Sequence, residues 1–320
     1  MNRIVLKEEA GYHLDFGKEI KKEKPSFMRQ RFLLRMIETL HDLRKVHVDE
    51  HRFMHDVFYY IIEGGTAYYD FLPSINGPVS FQLCEDLEIL ERDGFLVFEN
   101  HVWHQDRTFE GEPYLNVTSK QIDKYSLTDQ EMTKFLLLSY PYYFMDRNVH
   151  SKGYGALLNT KQFDRVLEIE SLCTGEEKIL LSIGYEKRTV EALFNYLIHL
   201  DIRLLIDTRT YPFSRKFGFS KSRLEEIAAF SGVAYRHMGE LGISKVEQIK
   251  HSSTDDALHL YSKHVERIAV DEALQKDMEE AQSKYKRVAI LSYETNPEDG
   301  YRDSLHQYLL RELDVPGVVV

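Results

Sequence analysis

Cysteine is scarce in this chain: Cys84 and Cys173 are the only two in 320 residues, and neither belongs to a CxxC or Cys/His cluster. That spacing argues against a disulfide framework or a thiolate-held zinc and leaves both as small buried or half-buried thiols. No apolar run approaches the roughly 20 residues needed to cross a bilayer. The opening MNRIVLKEEAGYHLDF lacks the apolar stretch of a secretory signal, so a cytosolic protein with no membrane partner is expected. Walker-type GxxxxGK[ST], GxGxxG and GxSxG elements are also missing, which removes the sequence basis for nucleotide-driven phosphoryl transfer, dinucleotide redox and nucleophile-elbow hydrolysis. Neither a metal nor a cofactor is expected.

What is present is ordinary in bulk, with 43% hydrophobic and 29% charged residues, enough for two modest domains. A formal net charge of −11 disfavours indiscriminate nucleic-acid binding. Two segments run against it. Residues 18–45 carry Lys18, Lys21, Lys22, Lys24, Arg29, Arg31, Arg35, Arg44 and Lys45, a pattern that alone suits a solvated helix face. Residues 209–223 carry Arg209, Arg215, Lys216, Lys221 and Arg223 with no acid, directly after a strand end.

Four regions are expected: a polar arm (1–25), a mostly helical domain (26–125), a helical connector (126–175) and an α/β domain (176–320). In the second, helical spacing starts at Ser26, and a second helix covers Glu50–Glu63. Tyr68–Leu72 reads as a strand and Ser74–Pro78 as a turn. Ser80 caps a third helix that stops at Asp93-Gly94, before strands at Phe95–Phe98 and from Val102, with a turn at Glu99-Asn100. Helices followed by a hairpin describe a winged-helix-like module. YDFLPSINGPVSFQLCEDLEILERDGFLVF resembles the Panacea, or SocA-like, family over roughly residues 26–105. The acidic stretch Glu85-Asp86-Leu87-Glu88 points that module towards a protein partner, and its helix-and-hairpin plan towards DNA.

From Ile179 onward, short apolar runs alternate with helical patterns: strands at Ile179–Ile183, Ile202–Ile206, Val233–His237, Val288–Leu291 and Val315–Val320, with helices between. This predicts a Rossmann-like parallel sheet, whose ligands bind beyond the carboxyl ends of the strands. Those ends read Gly184-Tyr185-Glu186-Lys187-Arg188, then Asp207 to Lys216, then His237 to Gly242, then Ser292-Tyr293-Glu294, with Tyr301-Arg302 opening the last helix. Asp207 closes an apolar strand, where burial is costly without a partner, and Arg209 or Arg215 could supply one.

SIGYEKRTVEALFNYL, LLIDTRTYPFSRKFGFSKSRL, GVAYRHMGELG and AILSYETNPEDGYRDSL together resemble the family catalogued as domain of unknown function 488, over about Lys178–Val320. The Asp207-x-Arg209-x-x-Pro212-x-Ser214 element carries most of that resemblance, which implies a Rossmann-like α/β/α sandwich and no assigned activity. Relatives usually carry a Cys near the fourth-strand Glu and a Cys-His-Arg triplet at the last helix; here the positions read Ser292 and Gly300-Tyr301-Arg302. Thiol chemistry is therefore not expected.

Carboxylates beside tyrosines and cations suit an oxocarbenium-like centre in N-glycosidic cleavage. Asp207, Glu186 or Glu294 would orient water or balance charge. Tyr185 or Tyr293 would stack on an extruded base, and Arg209, Arg215 and Lys216, with Ser214, Tyr301 and Arg302 nearby, would hold the nucleotide. His237 would assist the leaving base or serve as a hydrogen-bonded structural residue; Tyr235 is read as core packing. The expectation is a DNA-base glycosylase acting on modified bases. Both resemblances imply a bacterial anti-phage setting. A nuclease or nucleoside hydrolase, and a non-catalytic antitoxin-like adaptor, remain open.

Overall fold

The computed structural model describes residues 24–44, 48–99, 102–106, 115, 117–145, 158–244, 254–296 and 301–320. The polar arm up to residue 23, Lys45, Asn100, the 146–157 part of the expected connector and Gly300 lie outside the described residues. The chain divides into two compact units, Met1–Ile169 and Glu170–Val320.

The first unit is mostly helical: α1 (Met28–Arg44), α2 (Glu50–Ile62), α3 (Phe81–Arg92), α4 (Ser119–Tyr125) and α5 (Asp129–Ser139). Helix α6 (Thr160–Leu172) follows. A small antiparallel sheet joins β1 (Val48–Asp49), β2 (Leu96–Glu99) and β3 (Val102–Gln105) in the order β1-β3-β2. Ser80 starts α3 as its spacing predicts, its hydroxyl accepting from the Leu83 amide.

Three readings change here. Tyr68–Leu72 is not a strand; only Leu72 bridges, to Val79, across a turn that Ser74 Oγ closes by donating to the Gly77 carbonyl at 2.7 Å. Asp86 is not part of an acidic docking face. It is fully buried, accepting from Arg29 at 2.5 Å, Gln30 at 3.0 Å and the Tyr69 hydroxyl at 3.1 Å. The stretch read as connector starts α5 at a Thr128/Glu131 capping box and sends Met132, Leu136, Leu137 and Phe144 into this unit's core.

A buried histidine also marks this unit. Burial, then the charge of His51, drives the His55 pKa down to about 3, against the opposing pull of its 3.0 Å contact with the Asn76 carbonyl. Gly77 sits under the ring at φ +110, and any Cβ there would come within 2.5 Å of His55 Nε2.

The second unit is an α/β domain. Strands β4 (Ile179–Gly184), β5 (Leu204–Asp207), β6 (Ala234–His237), β7 (Arg287–Ser292) and β8 (Gly317–Val319) form one parallel sheet in the order β6-β5-β7-β4-β8. The helices are α7 (Val190–His199), α8 (Lys221–Phe230), α9 (Thr254–Ala269), α10 (Glu272–Tyr285) and α11 (Arg302–Leu313). Helices α9 and α10 are separate because Asp271 caps a fresh start on the Leu274 amide.

Side chains alternate across the sheet. Leu180, Leu204, Ile206, Val288 and Ile290 pack with Ile268, Leu274, Met278 and Leu305 from α9, α10 and α11. The intervening positions, such as Leu205 and Asp207, turn to the other face, where right-handed crossovers carry α7 and α8. The connection leaving β5 runs towards one edge of the sheet and the connection leaving β7 towards the other. The point where the connections diverge, the usual ligand position in such sheets, therefore falls between the carboxyl ends of these adjacent strands.

Candidate functional site

Register places the strand ends side by side. Asp207 pairs with His237 on one flank and Leu291 on the other, and Gly184 pairs with Ser292. The loops above are packed without slack: a Cβ on Gly184 would fall 1.7 Å from the Glu294 carbonyl oxygen, and one on Gly242 would fall 1.9 Å from that of Thr208.

Asp207 is fully buried and its carboxylate is fully engaged. Oδ1 accepts from the Arg209 amide at 3.1 Å and from its Nε at 2.8 Å; Oδ2 accepts from the second arm of the same guanidinium at 2.6 Å and from the Tyr235 hydroxyl at 2.7 Å. The remaining Arg209 nitrogen donates to Tyr185 Oη at 3.0 Å and to the Phe219 carbonyl at 2.8 Å. Burial alone would weaken the Arg209 charge, but the Asp207 hydrogen bonds and charge outweigh it and hold its proton more tightly. Tyr235 is therefore not mere core packing; burial and then Asp207 push its pKa far up, keeping it a proton donor. Tyr185 is buried, stacks on Phe219 at 4.3 Å and meets Tyr293 edge-on at 5.3 Å.

The other candidates fall into separate roles. Lys216 is half-buried and its ammonium donates to the carbonyls of Tyr185 at 2.9 Å and Glu186 at 2.6 Å. Burial lowers its pKa; Glu186 opposes this, and nearby Arg188 adds to it. Ser214 Oγ accepts from the Lys216 amide at 3.1 Å, a local turn contact. Glu186 and Arg215 are exposed, while Tyr293 and Glu294 are half-buried. Arg302 is 1% exposed and clamps the Thr295 and Val320 carbonyls, so it is not open to phosphate. Tyr301, also buried, shares a 2.8 Å hydrogen bond with Thr208 Oγ1, on the sheet face opposite Asp207. Ser292 Oγ is buried with no hydrogen-bond partner among the described residues.

A half-open cleft of about 480 Å³ lies beside the end of β6, lined by Thr210, His237, Glu240, Lys263, His264 and Arg267, among others. Of the sequence candidates, only His237 lines it. The Arg209 carbonyl can only accept, so His237 donates from Nε2 across 2.7 Å and leaves Nδ1 for proton exchange. Arg267 can only donate, so His264 accepts at Nδ1 across 3.0 Å and donates from Nε2 to the Leu241 carbonyl at 2.9 Å, which fixes it as a neutral ring. Among the described residues, no three His, Cys, Asp or Glu side chains are grouped to hold a metal.

Lys263, His264 and Arg267 escaped the sequence reading because one turn of polar residues on α9 looks like a solvent face. One signal was there: His264 lies four residues from both Leu260 and Ile268, on the apolar stripe.

No curated protein and no solved structure matches the chain. Residues 189–309, which hold Asp207, the cleft and the start of α11 but not Tyr185 or Glu186, match the model of the family described as Domain of unknown function DUF488.

Proposed function

We propose that the C-terminal unit is a hydrolase acting on a nucleotide unit of DNA, and that the bond it cleaves is the N-glycosidic bond of a modified base. The observation that carries this is the cleft. Its volume falls within the roughly 300–1,000 Å³ usual for small-ligand sites, and it sits at the carboxyl edge of a parallel sheet. Lys263 and Arg267 supply positive charge for a phosphate, and His237 offers Nδ1 beside them.

In this reading the nucleotide turns out of its strand into the cleft. His237, protonated at Nδ1, gives its proton to the departing base. Glu240, exposed at the rim, orients the attacking water and faces the developing positive sugar. Asp207 acts through Arg209: with all its lone pairs engaged, it fixes the loop whose Arg209 carbonyl orients the His237 ring. It is a positioning residue. The N-terminal unit, on its likeness to winged-helix modules, would recruit DNA or a protein partner, and an anti-phage setting follows from the family resemblances alone.

One observation favours a second reading, phosphodiester hydrolysis: among the described residues the cleft is lined by one carboxylate beside two histidines, a lysine and an arginine, rather than by two carboxylates. Incubation with duplexes carrying modified or ordinary bases separates the two. Breaks that appear only after alkali indicate abasic sites and the first reading, and direct breaks indicate the second. No product from any duplex, with the protein folded, refutes both and favours a non-catalytic adaptor.

A further inference from the structure

The loop from Thr210 to Arg215 has an unusual outer face. Tyr211 is 77% exposed and Phe213 75% exposed, with Pro212 between them and Arg215 next to them. Large rings held this far into water are costly unless something covers them. Neither ring makes an aromatic or cation contact with a described residue, and Arg215 makes no hydrogen bond or ion pair among them.

The base of the loop, by contrast, is tied down at several points. Arg209 is locked to Asp207 and to the Phe219 carbonyl, the Lys221 amide donates to the Pro212 carbonyl at 3.0 Å, and the Phe213 amide donates to the Tyr211 carbonyl at 2.8 Å. Lys216 crosses to the β4 loop. The two rings are thus displayed by a braced scaffold rather than carried on a slack one. Between Thr208 and Leu224 the sequence has cations and no acid. Thr210, next to Tyr211, lines the cleft.

We infer that Tyr211 and Phe213 form a stacking platform for the unpaired bases of a nucleic-acid strand, with Arg215 on its backbone, delivering the strand to the neighbouring cleft. The inference rests on the nucleic-acid reading proposed above. Aromatic faces accept any base without sequence preference, and a base inside an intact duplex offers them no free face. Local positive charge favours this occupant over an apolar protein segment.

The test is fluorescence anisotropy of the whole protein with a labelled 15-nucleotide single strand of mixed sequence, and with the same sequence as a blunt duplex. Both side chains are on the surface, so Tyr211→Ala and Phe213→Ala should leave the far-ultraviolet dichroism unchanged. Each should weaken single-strand binding by about 5- to 150-fold, the range expected for loss of one base–aromatic stack. Tyr211→Phe should restore it, and Phe213→Trp should bind with quenched indole emission. Arg215→Ala should flatten the salt dependence by about one counterion. If the strand binds and the alanine variants bind it equally well, the platform is refuted while the hydrolase reading stands. If the unaltered protein binds neither strand nor duplex, the nucleic-acid reading itself fails and takes the platform with it.

Discussion

Removing the Asp207 carboxylate discriminates most sharply between an anchor and a catalyst. Asp207→Ala strands the Arg209 guanidinium at 8% exposure with two of its donors facing a void, and also orphans the Tyr235 hydroxyl. Breaking a buried pair by deleting one partner costs about 3–5 kcal/mol, a large part of the roughly 5–15 kcal/mol that holds a domain together. Tyr235→Phe deletes only one hydrogen bond to the charged carboxylate from a half-exposed ring, at a cost of about 1–2 kcal/mol. Urea unfolding resolves these effects, because the only tryptophan, Trp103, is buried in the first unit. Far-ultraviolet dichroism should therefore shift to lower urea while Trp103 emission keeps its midpoint. Hydrogen exchange should locate the loss in β5 and β6. The reasoning is refuted if Asp207→Ala costs less than about 1 kcal/mol, since a committed buried pair cannot be removed so cheaply.

Other outcomes follow from the same geometry. The His55 pKa is about 3 when folded, against 6.5 for the free side chain, so the unfolded chain takes up a proton that the folded one refuses. Stability of the first unit should fall as pH drops from about 6.5 towards 3, by at most about 1.4 kcal/mol per pH unit, with Trp103 emission as the readout and a flatter profile in His55→Gln. Gly184→Ala should drive the Glu294 segment away from β4 and destabilise the second unit by about 1–3 kcal/mol or more in urea titration. Ser292→Cys should be neutral or stabilising by about 1 kcal/mol, because it replaces a buried hydroxyl lacking a described partner with a group that needs one less. Any release of base or strand should drop about 100-fold or more in His237→Gln with the melting temperature little changed, as expected for loss of an acid–base group.

Much of the α/β unit was legible because buried parallel strands have a simple signature. The runs at Ile179, Ile202, Val233 and Val288 each became a strand within two residues of the expected bounds. An acid closing such a run, as Asp207 does, signals a buried charge, and Arg209 two residues on supplied the partner. Less was legible where the determinants are distant in sequence. Val48–Asp49 is too short to show a period, yet pairs with Trp103 and Val102. Asp86 looked exposed among acids because Arg29, Gln30 and Tyr69 reach it from elsewhere. The cleft escaped for the same reason: His237 and Lys263 are joined by tertiary packing, and no spacing rule links a strand end to the middle of a helix two elements later.

The bracing of the β5 loop has an evolutionary consequence. Because Asp207, Arg209 and the Phe219 carbonyl already join its two ends, closing that loop draws on no side chain at its tip. Lengthening such a tip twofold costs only about 0.6 kcal/mol, and exchanging Tyr211, Phe213 or Arg215 disturbs no buried contact. Selection could therefore redraw what this edge recognises, one exposed position at a time, while the sheet beneath it stays the same.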